Sequence, residues 1–195
     1  MNRFLRASAF LLVAGLGLAA APSAQAAFIT GNQGLADSGT PTLIGSNNIN
    51  TATGFNFGNL ETTTARDGGF RAGAPEIDLR STTFTPANPT TFTLGVGSRF
   101  GTFRATSDVL VDSSSVARSY LITGFFTPGS EFGGGSPEFA RLAVSFTQVG
   151  GPGTAISDSA TLTVPVPEPA SIAMIGLGLA GVAGVSTIRR RRASN

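Results

Sequence analysis

The stretch "FARLAVSFTQVG" (residues 139–150) alternates apolar and polar residues along its length. On an extended chain, one side of this stretch carries Leu142, Val144 and Phe146, and the other carries alanine, serine and threonine. A period of two indicates a β-strand with one buried face. This stretch therefore predicts a β fold.

The segments that precede it in the chain repeat the pattern. "SYLITGFF" (residues 119–126) places Tyr120 and Ile122 on one face. "GTFRATSDVLV" (residues 101–111) and "TTFTLGV" (residues 90–96) alternate in the same way and are rich in threonine, phenylalanine and valine. Glycine, proline and asparagine separate these segments, as expected for turns between strands.

The ends of this region are less regular. In "TAISDSATLTV" (residues 154–164), we expect Ile156 on the face opposite serine and aspartate. Residues 30–80 are polar and glycine-rich, and they predict one strand around Phe55 and Phe57 and otherwise long loops. The whole pattern predicts a mainly β, exported domain at residues 27–164, an antiparallel sandwich or jelly roll.

The first 26 residues have the three parts of a secretory signal. "MNRFLR" is basic, "ASAFLLVAGLGLAA" is apolar, and "PSAQA" ends with small residues at Ala24 and Ala26. This order predicts a signal helix that is cleaved after Ala26, so that Ala27 begins the mature chain. A core helix or an uncleaved anchor would not explain all three parts together.

The other end of the chain predicts a membrane span. Residues 170–188 carry no charge, and as a helix they would extend roughly 28 Å, close to the hydrocarbon thickness of a bilayer. Four arginines follow directly: Arg189, Arg190, Arg191 and Arg192. By the positive-inside rule they hold this end in the cytoplasm and place the β domain outside.

A proline-alternating run, "PVPEP" (residues 165–169), precedes the span. Residues before proline avoid the helical region, so this run is expected to be extended and stiff. An enzyme at the outer face of the membrane could bind such a segment along its length, and Glu168 would offer it one charged contact.

Together, "VPEPAS", the span rich in glycine, alanine and leucine, and the arginine cluster resemble the PEP-CTERM sorting signal of Gram-negative bacteria, over residues 165–192. The resemblance implies recognition by exosortase, a membrane-embedded enzyme, through Pro167, Glu168 and Pro169. It also implies that the span is a transient anchor in the inner membrane. The protein would then reach the cell surface or the extracellular matrix, where extracellular polysaccharide is a candidate partner in biofilms.

Composition excludes several function classes. The chain has no histidine and no cysteine, and all 13 of its basic residues are arginine. A Ser-His-Asp triad, a thiolate zinc site and a lysine Schiff base are therefore ruled out. The region between Ala27 and Val164 has more acidic residues than arginines, so we expect no nucleic-acid partner. No cofactor is predicted.

Two chemistries remain open after these exclusions. Glu131 and Glu138 flank "FGGGSP" and could form a glycosidase-type carboxylate pair. Glycosidase acids sit on rigid scaffolds, so two solvated glutamates on a flexible loop are the favoured interpretation. Asp67, Glu76 and Asp78 could supply calcium ligands, but they lack the EF-hand spacing, so no metal site is predicted.

The aromatic residues are nearly all phenylalanine, with one tyrosine and no tryptophan, which favours a place in the core over a carbohydrate platform. The sequence therefore favours a structural or adhesive surface protein that is not an enzyme. The alternative is a carbohydrate-active enzyme or polysaccharide-binding module that uses Glu131 and Glu138.

Overall fold

The computed structural model describes residues 29–166, so the predicted signal peptide and membrane span lie outside the described residues. Strands make up 56% of the described part, which contains no α-helix. The strands are β1 (Gly31–Asp37), β2 (Thr42–Ile44), β3 (Gly54–Arg66), β4 (Asp78–Phe84), β5 (Thr93–Leu94), β6 (Gly101–Ser113), β7 (Ala117–Pro128), β8 (Glu138–Gln148) and β9 (Ile156–Val164). Short 3₁₀ turns lie at Gly68–Ala72, Pro89–Thr91 and Ser130–Phe132.

All strand pairs in this region are antiparallel, which confirms the prediction of a mainly antiparallel β body. Neighbouring strands follow the order β2-β3-β1-β9-β8-β7-β6-β5, and β4 pairs with β3. The expected sandwich would use two sheets, whereas these strands form one curled sheet. Its two ends approach each other, because the Thr82 hydroxyl on β4 donates a hydrogen bond of 2.6 Å to the Thr93 carbonyl on β5.

The curled sheet encloses a core dominated by phenylalanine. Phe55 on β3 stacks on Phe146 on β8 with ring centroids 3.9 Å apart, although two strands separate β3 from β8 in the sheet. The sheet therefore folds over onto itself at this point. Tyr120 and Ile122 are both buried, as the alternation predicted. The fully buried phenylalanines are Phe55, Phe57, Phe70, Phe84, Phe92, Phe103, Phe126 and Phe146.

Residues 30–80 contain more strands than the sequence predicted. The expectation of long loops is wrong for β1 and β3, and β3 alone has 13 residues. Their inward positions include Gln33 and Thr62, which are polar and hide the period of two. Gln33 donates to the Gly34 and Thr63 carbonyls, and Thr62 accepts from the Ile77 amide, so these buried groups are satisfied.

Residues 90–96 contain less strand than expected, because only Thr93–Leu94 pair as β5. A 3₁₀ turn precedes them at Pro89–Thr91, and Gly95 and Gly97 follow with positive φ angles of 74° and 75°. At these two glycines the chain adopts the left-handed conformation and turns away from the extended path of β5. Within residues 29–166, no helix is long and apolar enough to cross a membrane.

Candidate functional site

The sorting segment begins where β9 ends. Val164 is the last residue of the strand, and Pro165 and Val166 follow as exposed chain without regular structure. The predicted recognition residues Pro167, Glu168 and Pro169 lie outside the described residues. The same holds for the cleavage residues Ala24, Ala26 and Ala27, and for the membrane-stop residues Arg189, Arg190, Arg191 and Arg192.

The structure brings the two ends of the described chain together. β1 and β9 are antiparallel neighbours, and the Cα partner of Gly31 is Val164. The chain enters β1 and leaves β9 at the same end of the sheet. Both predicted processing sites are therefore attached to one end of the folded body, through a few residues on each side.

Glu131 has a structural role. It lies in the Ser130–Phe132 turn, where its Oε1 accepts a hydrogen bond of 2.6 Å from the Ala74 amide. Its Oε2 is 3.5 Å from Arg99 Nε, and its side chain is only 17% exposed. The predicted flexible loop is wrong for this residue, because a partly buried hydrogen bond and an ion pair fix the turn.

Glu138 starts β8, where its partner on β7 is the buried Phe126. Its Oε2 is buried and accepts no hydrogen bond from the described residues. Burial raises the pKa of the Glu138 carboxyl, and a backbone hydrogen bond from Ile29 offsets part of that rise. Unlike Glu131, it has no arginine partner within residues 29–166.

Two surface pockets of the body lie away from the two glutamates. One surface pocket, of about 300 Å³, is lined by residues 40–43 and 153–156 together with Ser46, Asn47 and Gln148. Another, of about 330 Å³, is lined by residues 61–64 with Asp37 and Glu76. Neither pocket is lined by Glu131 or Glu138, so the geometry gives no support to a glycosidase pair.

A different carboxylate pair forms between Asp37 and Asp158. The prediction that Ile156 and this aspartate lie on opposite faces of β9 is wrong. Asp158 lies two residues from both Ile156 and Ala160, so all three side chains are on the inward face. Burial first, and the nearby Asp37 charge second, raise the pKa of Asp158 to about 6, and its Oδ2 is buried without a hydrogen bond from the described residues.

Asp37 itself holds a turn together. Its Oδ1 accepts hydrogen bonds from the Gly39 and Asn59 amides at 2.7 and 2.6 Å, and its Oδ2 accepts one from the Gly58 amide at 2.6 Å. Charge-assisted bonds of this kind are stronger than neutral ones. Asp37 therefore connects the end of β1 to the middle of β3.

Two of the acids considered as calcium ligands, Asp67 and Asp78, accept hydrogen bonds from backbone amides. Asp67 accepts two hydrogen bonds from Asn32, and these hold the pKa of the Asp67 carboxyl below its usual range. Asp78 accepts a hydrogen bond of 2.6 Å from the Arg80 amide. Across residues 29–166, no group of three or more acidic side chains is placed to hold a metal ion.

Two phenylalanines depart from the predicted core placement. Phe125 on β7 and Phe139 on β8 are 47% and 43% exposed. They are Cα partners on the outer face, and Arg104 on β6 is the partner of Phe125 on its other side. The Arg141 guanidinium carbon lies 5.4 Å from the Phe139 ring centroid. We call Arg104, Phe125, Phe139 and Arg141 the arginine–phenylalanine patch.

Sequence reasoning missed this patch, although the alternation contained the signal. Ile122 points inward, so Phe126 also points inward, and Phe125 between them must point outward. Leu142 likewise sets Phe139 outward on β8. The general preference of phenylalanine for the core obscured this local rule.

Comparison with known proteins supports the sorting segment. A family model described as the PEP-CTERM protein-sorting motif matches residues 165–192. No curated protein and no solved structure matches the chain. The match covers the proline-alternating run, the predicted span and the four arginines. The chain therefore carries the PEP-CTERM protein-sorting motif, which supports an exported protein that exosortase processes at a membrane.

Proposed function

We propose that this protein is an exported structural or adhesive component of the cell surface or extracellular matrix, and that it is not an enzyme. The observation that carries the proposal is the sorting motif at residues 165–192, which follows directly on a folded β body. In this proposal, the secretion machinery exports the chain and cleaves it after Ala26. The span then anchors it in the inner membrane until exosortase acts near Pro167, Glu168 and Pro169.

The body supports a non-catalytic role through what its carboxylates do. Asp37 and Asp67 hold neighbouring strands together, and Glu131 fixes a turn. The alternative enzyme or polysaccharide-binding module at Glu131 and Glu138 has less support. The Ala74 amide and Arg99 already occupy the Glu131 carboxylate, whereas a catalytic acid must be available to its substrate.

Substitutions in the motif test the sorting role. Glu168→Ala removes the one charge of the run while the prolines keep it stiff. Pro167→Ala with Pro169→Ala keeps the charge but lets the run join a following helix. We expect both variants to collect at full mass in the inner membrane, whereas the unaltered protein is processed. Cell fractionation with a tag after Ser136, in the exposed loop before β8, and intact mass spectrometry measure this.

Thr161→Ala, at an exposed position of β9 outside residues 165–192, is the control, because it changes neither the charge nor the prolines of the motif. It should be processed as the unaltered protein is. Arrival of the Glu168 and double-proline variants at the surface or in the medium at the processed mass would show that the motif is not read, and that the segment is only a tail anchor.

A further inference from the structure

The arginine–phenylalanine patch exposes two aromatic rings side by side on the outer face of β7 and β8. The other outward positions along β7 and β8 carry no aromatic residue: Ser119 and Ser145 are hydrogen-bonded to each other at 2.9 Å, Leu121 is paired with Ala143, and Thr123 is paired with Arg141. Against this background Phe125 and Phe139 stand together, each close to half exposed. An exposed aromatic pair has no role in the core, and clustered exposed apolar surface commonly marks a binding site.

Positive charge flanks both rings. Arg104 is the cross-strand partner of Phe125, and Arg141 lies over Phe139 within cation–π distance. Within residues 29–166 neither arginine is paired with a carboxylate, while Arg99 is paired with Glu131. This local positive charge contrasts with the acidic excess of the body as a whole. The patch therefore has a charge that is complementary to an anion.

The patch is a row across strands rather than a pocket. Arg104, Phe125 and Phe139 occupy one row on three adjacent strands, and such strands lie about 4.8 Å apart. This spacing is close to the length of one sugar ring in a polysaccharide chain. Pyranose rings present apolar C–H faces that stack on aromatic rings, and carboxylates on the sugars would pair with the guanidinium groups.

We propose that the arginine–phenylalanine patch binds an anionic polysaccharide whose sugars carry carboxylates, with Phe125 and Phe139 stacking on sugar rings and Arg104 and Arg141 binding the carboxylates. An acidic protein surface would match the charge but would not require two adjacent exposed rings. The site gives the proposed adhesive role a ligand. This inference rests on the proposed function only for the place where the protein meets the polysaccharide, because the binding itself does not depend on sorting.

Binding is measured with the full-length chain in non-ionic detergent, on immobilised alginate as the anionic polysaccharide. Dextran is the neutral probe, and polyglutamate supplies charge without sugar rings. We expect binding to alginate, weaker binding to both other probes, and a loss of affinity as salt is raised. Phe125→Ser with Phe139→Ser should weaken alginate binding by roughly tenfold. Arg104→Gln with Arg141→Gln should weaken it similarly and remove most of the salt dependence.

Matched variants control for stability and for non-specific effects. Phe125→Tyr with Phe139→Tyr keeps the stacking surface and should bind as the unaltered protein does. Val109→Ser and Arg80→Gln change another exposed apolar residue and another exposed arginine, and both should leave binding unchanged. Circular dichroism checks that each variant is folded. If the double Phe→Ser variant loses its β signal, the proposal is judged from the double Arg→Gln variant alone.

Three results would overturn the proposal: no binding of the unaltered protein to alginate, unchanged binding in the folded patch variants, or equal binding to polyglutamate. The last result would assign the patch to an acidic protein partner. The binding assay is independent of processing, so failure of the sorting variants described above would leave this result standing, and the reverse is also true.

Discussion

At the scale of single residues, the stability of the body depends on aromatic side chains that meet across the fold. Phe55 contacts Phe146, and it also packs edge-on against Tyr120 at a centroid distance of 5.7 Å. These residues lie on three different strands. A side chain that joins strands distant in the sheet stabilises the curl itself, and not only the local packing.

Phe55→Ala should therefore lower the free energy of unfolding by about 3–5 kcal/mol, because it removes a fully buried ring and leaves a cavity. Phe125→Ala is the matched control and should change it by no more than about 0.5 kcal/mol, because that ring is exposed. Urea denaturation of the body, residues 27–164, measures both. Equal losses in the two variants would contradict the assigned core.

Asp158 makes the stability depend on pH. Its pKa is raised to about 6 in the folded body, so the folded state keeps a proton that the unfolded chain releases near pH 4. Stability is therefore fully present below the unfolded pKa and falls as the pH rises through this window. Asp158→Asn should raise stability at pH 7 by about 1 kcal/mol after allowance for solvent screening, and should change little at pH 4.

Urea denaturation at both pH values measures this effect. Ser159→Ala is the control, because it changes a neighbouring exposed residue without altering charge. A variant at Asp158 that destabilises the body equally at both pH values would show that the carboxylate makes a favourable contact, contrary to its position beside Asp37.

At the scale of elements, β6 has an edge that its neighbour leaves uncovered. β5 pairs only with Phe103 and Arg104, and the Ala105 amide donates a hydrogen bond to the Phe92 carbonyl. Beyond Ala105 the strand has no paired strand on that side within the described region. Val109, Leu110 and Val111 lie there and are 61%, 48% and 65% exposed. A long apolar edge is a template for pairing with another chain. Asp108 and Asp112 flank it and carry charge that opposes such pairing.

Asp108→Asn with Asp112→Asn should therefore raise concentration-dependent self-association of the body by roughly tenfold, because like charges at a shared edge are removed. Sedimentation velocity over a range of protein concentrations measures it. Glu76→Gln removes an exposed charge elsewhere and should leave the protein as monodisperse as before. If the double variant behaves like this control, the two aspartates do not protect the edge.

Elements differ in how far the sequence predicts them. β7 and β8 were predicted because their central inward residues are apolar, so burial and periodicity coincide there: Tyr120, Ile122, Leu142, Val144 and Phe146. β1 was missed, and β3 was predicted only around Phe55 and Phe57, because Gln33 and Thr62 face inward and their hydrogen bonds form only after other strands are in place. Local pattern cannot show a buried polar residue whose partner is about 30 residues away in the chain, as the Thr63 carbonyl is from Gln33.

At the scale of the whole molecule, the sorting segment was predictable because it is defined by the order of residues along the chain. Its run of prolines, apolar residues and arginines can be read in order without a fold. The curled sheet was not predictable in this way, because β1 pairs with β9 across most of the chain. The patch lies between these cases: alternation sets the direction of each phenylalanine, but only strand register brings Phe125 and Phe139 together.

Changing Arg189, Arg190, Arg191 and Arg192 to serine should weaken the orientation and stop signal, so that part of the population crosses the membrane without being anchored. Fractionation should then find full-length protein, lacking only its signal peptide, outside the inner membrane. Arg99→Ser, which alters a charge in the body, should not have this effect. Complete retention of the serine variant would show that the apolar run alone anchors the chain.

The position of β9 also decides how the body carries mechanical load. β9 lies inside the sheet with hydrogen-bonded neighbours on both sides, β1 and β8. A pull applied through the chain after Val164 acts along the strand, so both ladders resist it together in shear. A pull between Gly31 and Val164 would instead peel β1 from β9 one bond at a time, because these residues are paired at the same end. An anchor attached only through the carboxyl end would therefore load the body in its stronger direction.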